Sequence, residues 1–293
     1  MKILINGSSG LIGSALTTFL KAQGYEVARL LRTQQDEHPY WDIDSANFHL
    51  KDFSYPDVII NLAGESIADG RWTEKKKQQL INSRLQTTSL LVEHFKQKPP
   101  KLFINASAIG FYGDRGPSIV DENSDAGKDF VSDLAKQWEA SCDAIQSPQT
   151  RLVKIRTGIV ISKKGGALAK MLPAFKLGGG GKIGSGKQFM SWIDIEDVCH
   201  AIEFIIQKPM ISGPVNLVSP TPVTNKAFSI ALSKQLKRPC IFPLPSAIVK
   251  LLFGEMGKEL LLASTRVMPT KLLDAGFKFE YPSLQYSLMH QLK

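Results

Sequence analysis

Three glycines at a fixed spacing constrain this chain more than any other feature. The stretch INGSSGLIGSAL, residues 5–16, places Gly7, Gly10 and Gly13 between two apolar runs. Glycine weakens regular structure and is useful where backbone must pass close to something. Residues 2–6 read as a buried strand ending at Gly7, and residues 11–23 carry apolar side chains at helical spacing until Gly24 stops them. Strand, glycine-rich turn and helix form the context in which such glycines cradle a dinucleotide. The helix beginning near Leu11 aims free N–H groups and the positive end of its dipole at a pyrophosphate. On this reading Gly7 and Gly10 close the turn and admit the phosphates, and a branched side chain at Gly10 would strain it. Gly13 lets helix and strand pack closely.

The same alternation continues. Strands are expected at 25–31, at 56–62 (PDVIINL), in KLFINAS and in TRLVKIRTGIVI, with helices over 73–98 and in DFVSDLAKQWEASCDAI. Strands separated by long helices imply parallel pairing, so the expected fold class is α/β, a Rossmann-type doubly wound sheet. After Gly165 a glycine- and lysine-rich excursion runs to 189, and SWIDIEDVCHAIEFII returns as a strand and helix. From Gly213 prolines are dense between short helices at 225–236 and 246–253. The expected organisation is a cofactor domain at 1–165, rejoined by 190–210. A smaller C-terminal α/β substrate or lid domain takes 166–189 and 211–293.

Composition narrows the partners. Apolar residues at 43% and charged ones at 22% suit a soluble globular protein. The net charge of +9 is distributed along the chain apart from Lys75-Lys76-Lys77, which reads as a solvated helix face. No nucleic-acid partner is expected, and the basic excess weakly favours an anionic small-molecule substrate. Cys142, Cys199 and Cys240 are odd in number and lack C-x-x-C spacing, so they read as reduced thiols. The five histidines lack metal-ligand spacing, so no metal is expected. No apolar run approaches membrane-spanning length and no leader precedes the first strand, so a cytoplasmic location without a membrane partner is expected.

Beyond the glycines, NLAGE at 61–65, SAIGFYG at 107–113 and WIDIEDV at 192–198 resemble the extended short-chain dehydrogenase/reductase superfamily, of the NAD-dependent epimerase/dehydratase type. RWTEKKKQQLINSR, GGALAKMLPAFKLGGGGKIGSG and GPVNLVSPTPVTNKAF look like a narrower branch, the epimerase family proteins with a C-terminal domain of unknown function. The resemblance covers nearly the whole chain and implies a fold and a nicotinamide cofactor, without a known reaction. It places Leu11 and Ile12 beside the three glycines on the cofactor, with Leu31 and Arg32 at the second strand's end. Asn61, Leu62 and Ala63 would run along the cofactor, with Ser83 near it.

The end of the second strand normally reads the adenosine ribose, with an acid for NAD or an arginine for a 2′-phosphate. Residues 27–33 hold no acid, and Arg32 is the natural phosphate partner, so NADP is expected in preference to NAD. Arg29, three residues earlier, is expected on the opposite face, as a surface residue.

Relatives use a tyrosine acid/base with a lysine one helical turn on. None of the six tyrosines here has a lysine four residues later. Aligning Glu139 of AKQWEAS with the relatives' glutamate puts Val131 and Ala135 in place of that pair, and Lys136 falls about 100° round the helix. The remaining catalytic candidates are Ser107, which matches the relatives' substrate-polarising hydroxyl if one residue is inserted before Tyr112 (Ala108 matches otherwise), and Tyr112, which either packs at the strand end or acts as an acid. The loop at 178–186, with Lys182 and Lys187, either closes over an anionic substrate or is a plain surface loop. Two functions stay open. One is an NADP-dependent oxidoreductase or epimerase-like enzyme acting on a small molecule such as a nucleotide sugar. The other is an NADP(H)-sensing regulatory or scaffold protein without turnover, linked to cell division by a label some relatives carry.

Overall fold

The computed structural model describes residues 1–293 apart from 36, 37 and 44. Six strands, β1 (Lys2–Asn6), β2 (Glu26–Leu30), β3 (Val58–Asn61), β4 (Leu102–Ala108), β5 (Arg151–Thr157) and β6 (Gly213–Leu217), form one parallel sheet. Their spatial order is β6-β5-β4-β3-β1-β2. The central strands are apolar at consecutive positions because helices cover both faces: Ile3, Leu4, Ile5, Ile59 and Ile60 are all fully buried.

The helices in chain order are α1 (Leu11–Ala22), α2 (Glu74–Phe95), α3 (Phe130–Ala140), α4 (Gly166–Lys176), α5 (Ile195–Gln207), α6 (Asn225–Leu236), α7 (Ser246–Met256), α8 (Thr270–Asp274) and α9 (Leu284–Gln291). On one face of the sheet Leu16 and Leu20 of α1 and Ile202 of α5 pack on Ile3, Ile5 and Ile60. On the other, Leu91 and Phe95 of α2 pack on Leu4, Ile59 and Phe103. The strand order reverses where β2 and β3 leave β1 on opposite sides. A crevice opens there at the carboxyl ends of the strands, the usual ligand position in such sheets.

The expected domain boundary at 211 needs correction. Strand β6 is the edge of the main sheet, paired with β5 from Gly213 to Leu217, and Leu272 of α8 and Phe277 join the same core. A separate core is built from Leu168, Trp192, Phe228, Leu232 and Leu288, which unites α4, α6 and α9. Helix α7 then reaches back over α2 and α3, where Met256 packs with Trp72, Leu80 and Val131. Polar clasps fix it: Arg71 donates to the carbonyls of Leu251 and Leu252, and Lys77 pairs with Glu255 at 2.6 Å.

Candidate cofactor cleft and crevice

The three glycines do three different jobs. Gly7 has φ +78°, and a Cβ there would lie 2.6 Å from the Ala63 nitrogen, so the ends of β1 and β3 touch only because it is glycine. A Cβ at Gly13 would fall 2.3 Å from the Gly7 carbonyl oxygen, which is how α1 packs down on the turn. Gly10 differs. Its φ is −72°, and the nearest atom to a Cβ would be 3.4 Å away. The expected strain at Gly10 is therefore absent; its small size keeps a space clear.

Gly10 is also the N-cap of α1, with no side chain capping the helix. The first-turn N–H groups, those of Leu11, Ile12 and Gly13, have no intrahelical acceptor. Uncapped donors beside a space that a side chain would fill suit a pyrophosphate. The Leu11 side chain itself turns toward Gly165 and Gly166, and Ile12 packs on the main core, so only their backbones face the phosphate position.

A cleft of about 530 Å³ opens beside this turn, and Gly7, Gly10, Leu31, Arg32, Leu62 and Ala63 all line it. Arg29 lines it too, and its Nε donates to Ser8 Oγ at 3.2 Å. The expectation of opposite faces fails because β2 ends at Leu30, so strand alternation does not carry on to residue 32. Two guanidinium groups share the cleft.

Asn61 and Ser83, also expected near the cofactor, do not line this cleft and make structural hydrogen bonds. Asn61 is fully buried; it accepts from Asn6 Nδ2 at 2.9 Å and donates to Asn105 Oδ1 at 2.7 Å and Thr88 Oγ1 at 2.9 Å. That amide ladder ties β1, β3 and β4 together beneath the crevice. Ser83 accepts the Glu65 N–H at 3.1 Å and donates to the Leu80 carbonyl, anchoring the loop after β3. Arg84 braces the same loop by donating to the Glu65 carbonyl, and burial lowers its guanidinium to about 10, which leaves it charged at neutral pH. Lys76 and Arg32 both hold the Glu65 carboxyl below its ordinary range, Lys76 through a 2.7 Å hydrogen bond.

The catalytic candidates lie in a buried polar chain at the ends of β4 and β5. Ser107 Oγ donates to Glu139 Oε1 at 2.7 Å. Glu139 in turn holds Arg156 through two bonds, of 2.7 and 2.9 Å. Arg156 donates to Tyr112 Oη at 3.0 Å, and Tyr112 donates to Asn216 Oδ1 at 2.7 Å. Tyr112 is fully buried, and burial pushes its hydroxyl up to about 12. It is not presented to the crevice, so of its two expected roles the structure gives it the packing one and not that of an acid. Ser107 keeps 5% of its surface, with its proton given to Glu139.

Where relatives place tyrosine and lysine, Val131 and Ala135 are buried, Val131 against Gly110 and in the cluster that seats Met256. Lys136 pairs with Asp133 at the surface, as its position on α3 suggests. Sequence reasoning missed Glu139 and Arg156 as partners. The available signal was an arginine inside an otherwise apolar strand and a glutamate on the buried face of α3. Tyr112→Phe should cost about 1–3 kcal/mol, because the Asn216 carbonyl oxygen loses its donor in a dry site. Urea unfolding checks this, and NADPH affinity should not move.

Residues 3–217 match the NAD dependent epimerase/dehydratase family, and residues 244–291 match a domain of unknown function, DUF1731. The chain belongs to the NAD-dependent epimerase/dehydratase family. This family member is 41% identical over 288 residues to the epimerase family protein Mb2239 of Mycobacterium bovis, covering 98% of this chain and 96% of that one. Its fold superposes on the crystal structure of the human epimerase family protein SDR39U1 with NADPH at a TM-score of 0.93 and 34% identity, covering 99% and 98% of the two chains. A nucleoside-diphosphate sugar epimerase from Corynebacterium glutamicum matches at a TM-score of 0.82 and 32% identity, over 100% of this chain and 58% of that one.

Proposed function

We propose that this protein binds NADP(H) in the cleft between β1, β2 and β3, and that it reads the cofactor without tyrosine-assisted hydride transfer. The observation that carries the binding half is the pairing of Arg29 and Arg32 in a cleft beside an uncapped helix N-terminus. A guanidinium offers planar paired donors to a phosphate, and two of them favour the 2′-phosphate of NADP over the bare ribose of NAD. The NADPH in the human SDR39U1 structure supports the same reading. Bound there, the dinucleotide supplies a hydride donor or acceptor.

The second half rests on what surrounds the crevice. Val131 and Ala135 offer no proton, Tyr112 is sealed, and Ser107 donates into Glu139. An oxidoreductase reading keeps one supporting feature. The Ser107–Glu139–Arg156 chain starts near the carboxyl end of β4, where a serine hydroxyl exchanging its proton with Glu139 would polarise a substrate oxygen. Titration with NADPH and NADH, followed by NADPH oxidation against a panel of carbonyl compounds and nucleotide sugars, separates the two. Tight NADPH binding with no turnover supports the sensing reading. Turnover that Ser107→Ala abolishes establishes the enzyme.

Arg32→Ala tests the phosphate contact itself. NADPH affinity should fall by about 1.5–3 kcal/mol, the worth of hydrogen bonds to a charged group. NADH affinity should barely change, so the preference narrows by about tenfold or more. Equal losses for both cofactors would show damage to the end of β2 instead.

A further inference from the structure

Spread along the sequence, the net charge conceals an imbalance between the two halves of the chain. Residues 144–293 hold 20 Lys and Arg against 8 Asp and Glu, whereas residues 1–143 hold 16 against 19. Two long stretches, 144–193 and 204–254, contain no acid at all. They build α4, the glycine loop, α6 and α7 as far as Gly254, and the glycine loop joins the last two, with Gly186 beside Lys226 and Gly184 beside Ser246.

The exposed face of these elements also carries protruding apolar side chains. Ile241 is 66% exposed, Phe242 59%, Leu251 73% and Leu252 53%. On α7, Ile248, Leu251 and Leu252 follow i, i+3, i+4 spacing and are all exposed, so they share one side of the helix. On α6, Lys226, Ile230 and Lys234 stand at four-residue intervals, all exposed. A shallow hollow lined by Lys182, Lys226, Ile230, Cys240, Ile241 and Pro243 joins the two kinds of residue. Among the described residues, Lys182, Lys226, Lys234, Lys237 and Lys250 pair with no carboxylate.

We propose that this face docks on the surface of an anionic lipid bilayer. Lysines over acidic headgroups supply attraction, while Ile241, Phe242, Leu251 and Leu252 enter the headgroup–acyl boundary. Other occupants fit less well. A second copy meeting the same patch across a two-fold axis would set lysine against lysine. Single-stranded nucleic acid calls for aromatic platforms, and three of the four protruding side chains are aliphatic. A partner helix needs a groove to lie in, whereas these side chains stand out. The sequence expectation of no membrane partner rested on the lack of a spanning segment. No helix among the described residues is long and apolar enough to cross a membrane, and surface docking requires none.

Sedimentation with vesicles tests this, comparing phosphatidylglycerol mixed into phosphatidylcholine with phosphatidylcholine alone. The full-length protein should sediment with the anionic vesicles only, and less as salt rises. Lys226→Gln with Lys234→Gln should weaken partitioning by roughly 30-fold, at about 1 kcal/mol per cation near the surface. Ile241→Ser with Phe242→Ser should also release the protein, with NADPH binding unchanged as proof of folding. Three results would overturn the proposal: no sedimentation at low salt, sedimentation indifferent to the serine pair, or a dimer in light scattering that the serine pair abolishes. The cofactor proposal is untouched by any of them, since no residue of the cleft is altered.

Discussion

Glu139→Ala is expected to cost about 3–5 kcal/mol of folding stability, the range for removing one partner of a buried ion pair. The side chains of Arg156 and Glu139 are only 4% and 8% exposed, so the lost carboxylate is not replaced by bulk solvent. Two guanidinium bonds and the Ser107 hydroxyl lose their acceptor at once. The Arg156 charge then remains in a buried site, beside Tyr112 Oη and the faces of Phe111 and Tyr112. Urea denaturation followed by circular dichroism reads the loss. Glu139→Met with Arg156→Met should recover part of it, because the double variant buries no unpaired charge. If Glu139→Ala unfolds within about 1 kcal/mol of the parent, the pair is not the buried one described.

This polar chain also explains why the crevice was harder to read than the sheet. The strands were legible because consecutive apolar residues such as Ile3-Leu4-Ile5 have one reading in a covered parallel sheet. The glycine turn was legible from its place between a strand and a helix. Side-chain direction was not. Arg29 was set on the wrong face because an alternation argument was carried two residues past the end of β2. Tyr112 and Ser107 lie near the crevice in sequence, yet both bond inward to Asn216 and Glu139, partners 104 and 32 residues away. Asn61 followed the family pattern in position and still serves an amide ladder formed with Asn6 and Asn105. The edge strand β6 falls inside the expected C-terminal domain because prolines become dense from Gly213 onward. Pro214 is tolerated there since β6 pairs on one side only, with β5.

Gly10→Val and Gly13→Val should both abolish NADPH binding, for different reasons that stability measurements separate. At Gly10 the backbone sits at φ −72°, and a Cβ meets nothing nearer than 3.4 Å, so valine enters without rebuilding the turn. Its folding cost should be about 1 kcal/mol, that of a poor N-cap. Its branches would fill the space in front of the first-turn N–H groups of α1, where a pyrophosphate must lie within hydrogen-bond reach. Gly13 has no such room. A Cβ there would stand 2.3 Å from the Gly7 oxygen and 2.7 Å from the Ser8 Cα, both backbone atoms. Helix α1 must move off the turn, and overpacking of this kind costs about 1–3 kcal/mol or more. Isothermal titration with NADPH, paired with thermal unfolding, gives the comparison. Gly10→Val should keep a melting temperature close to the parent's and show no binding, whereas Gly13→Val should lose both. Normal NADPH affinity in a folded Gly10→Val protein would place the phosphates elsewhere and remove the basis for the cofactor cleft.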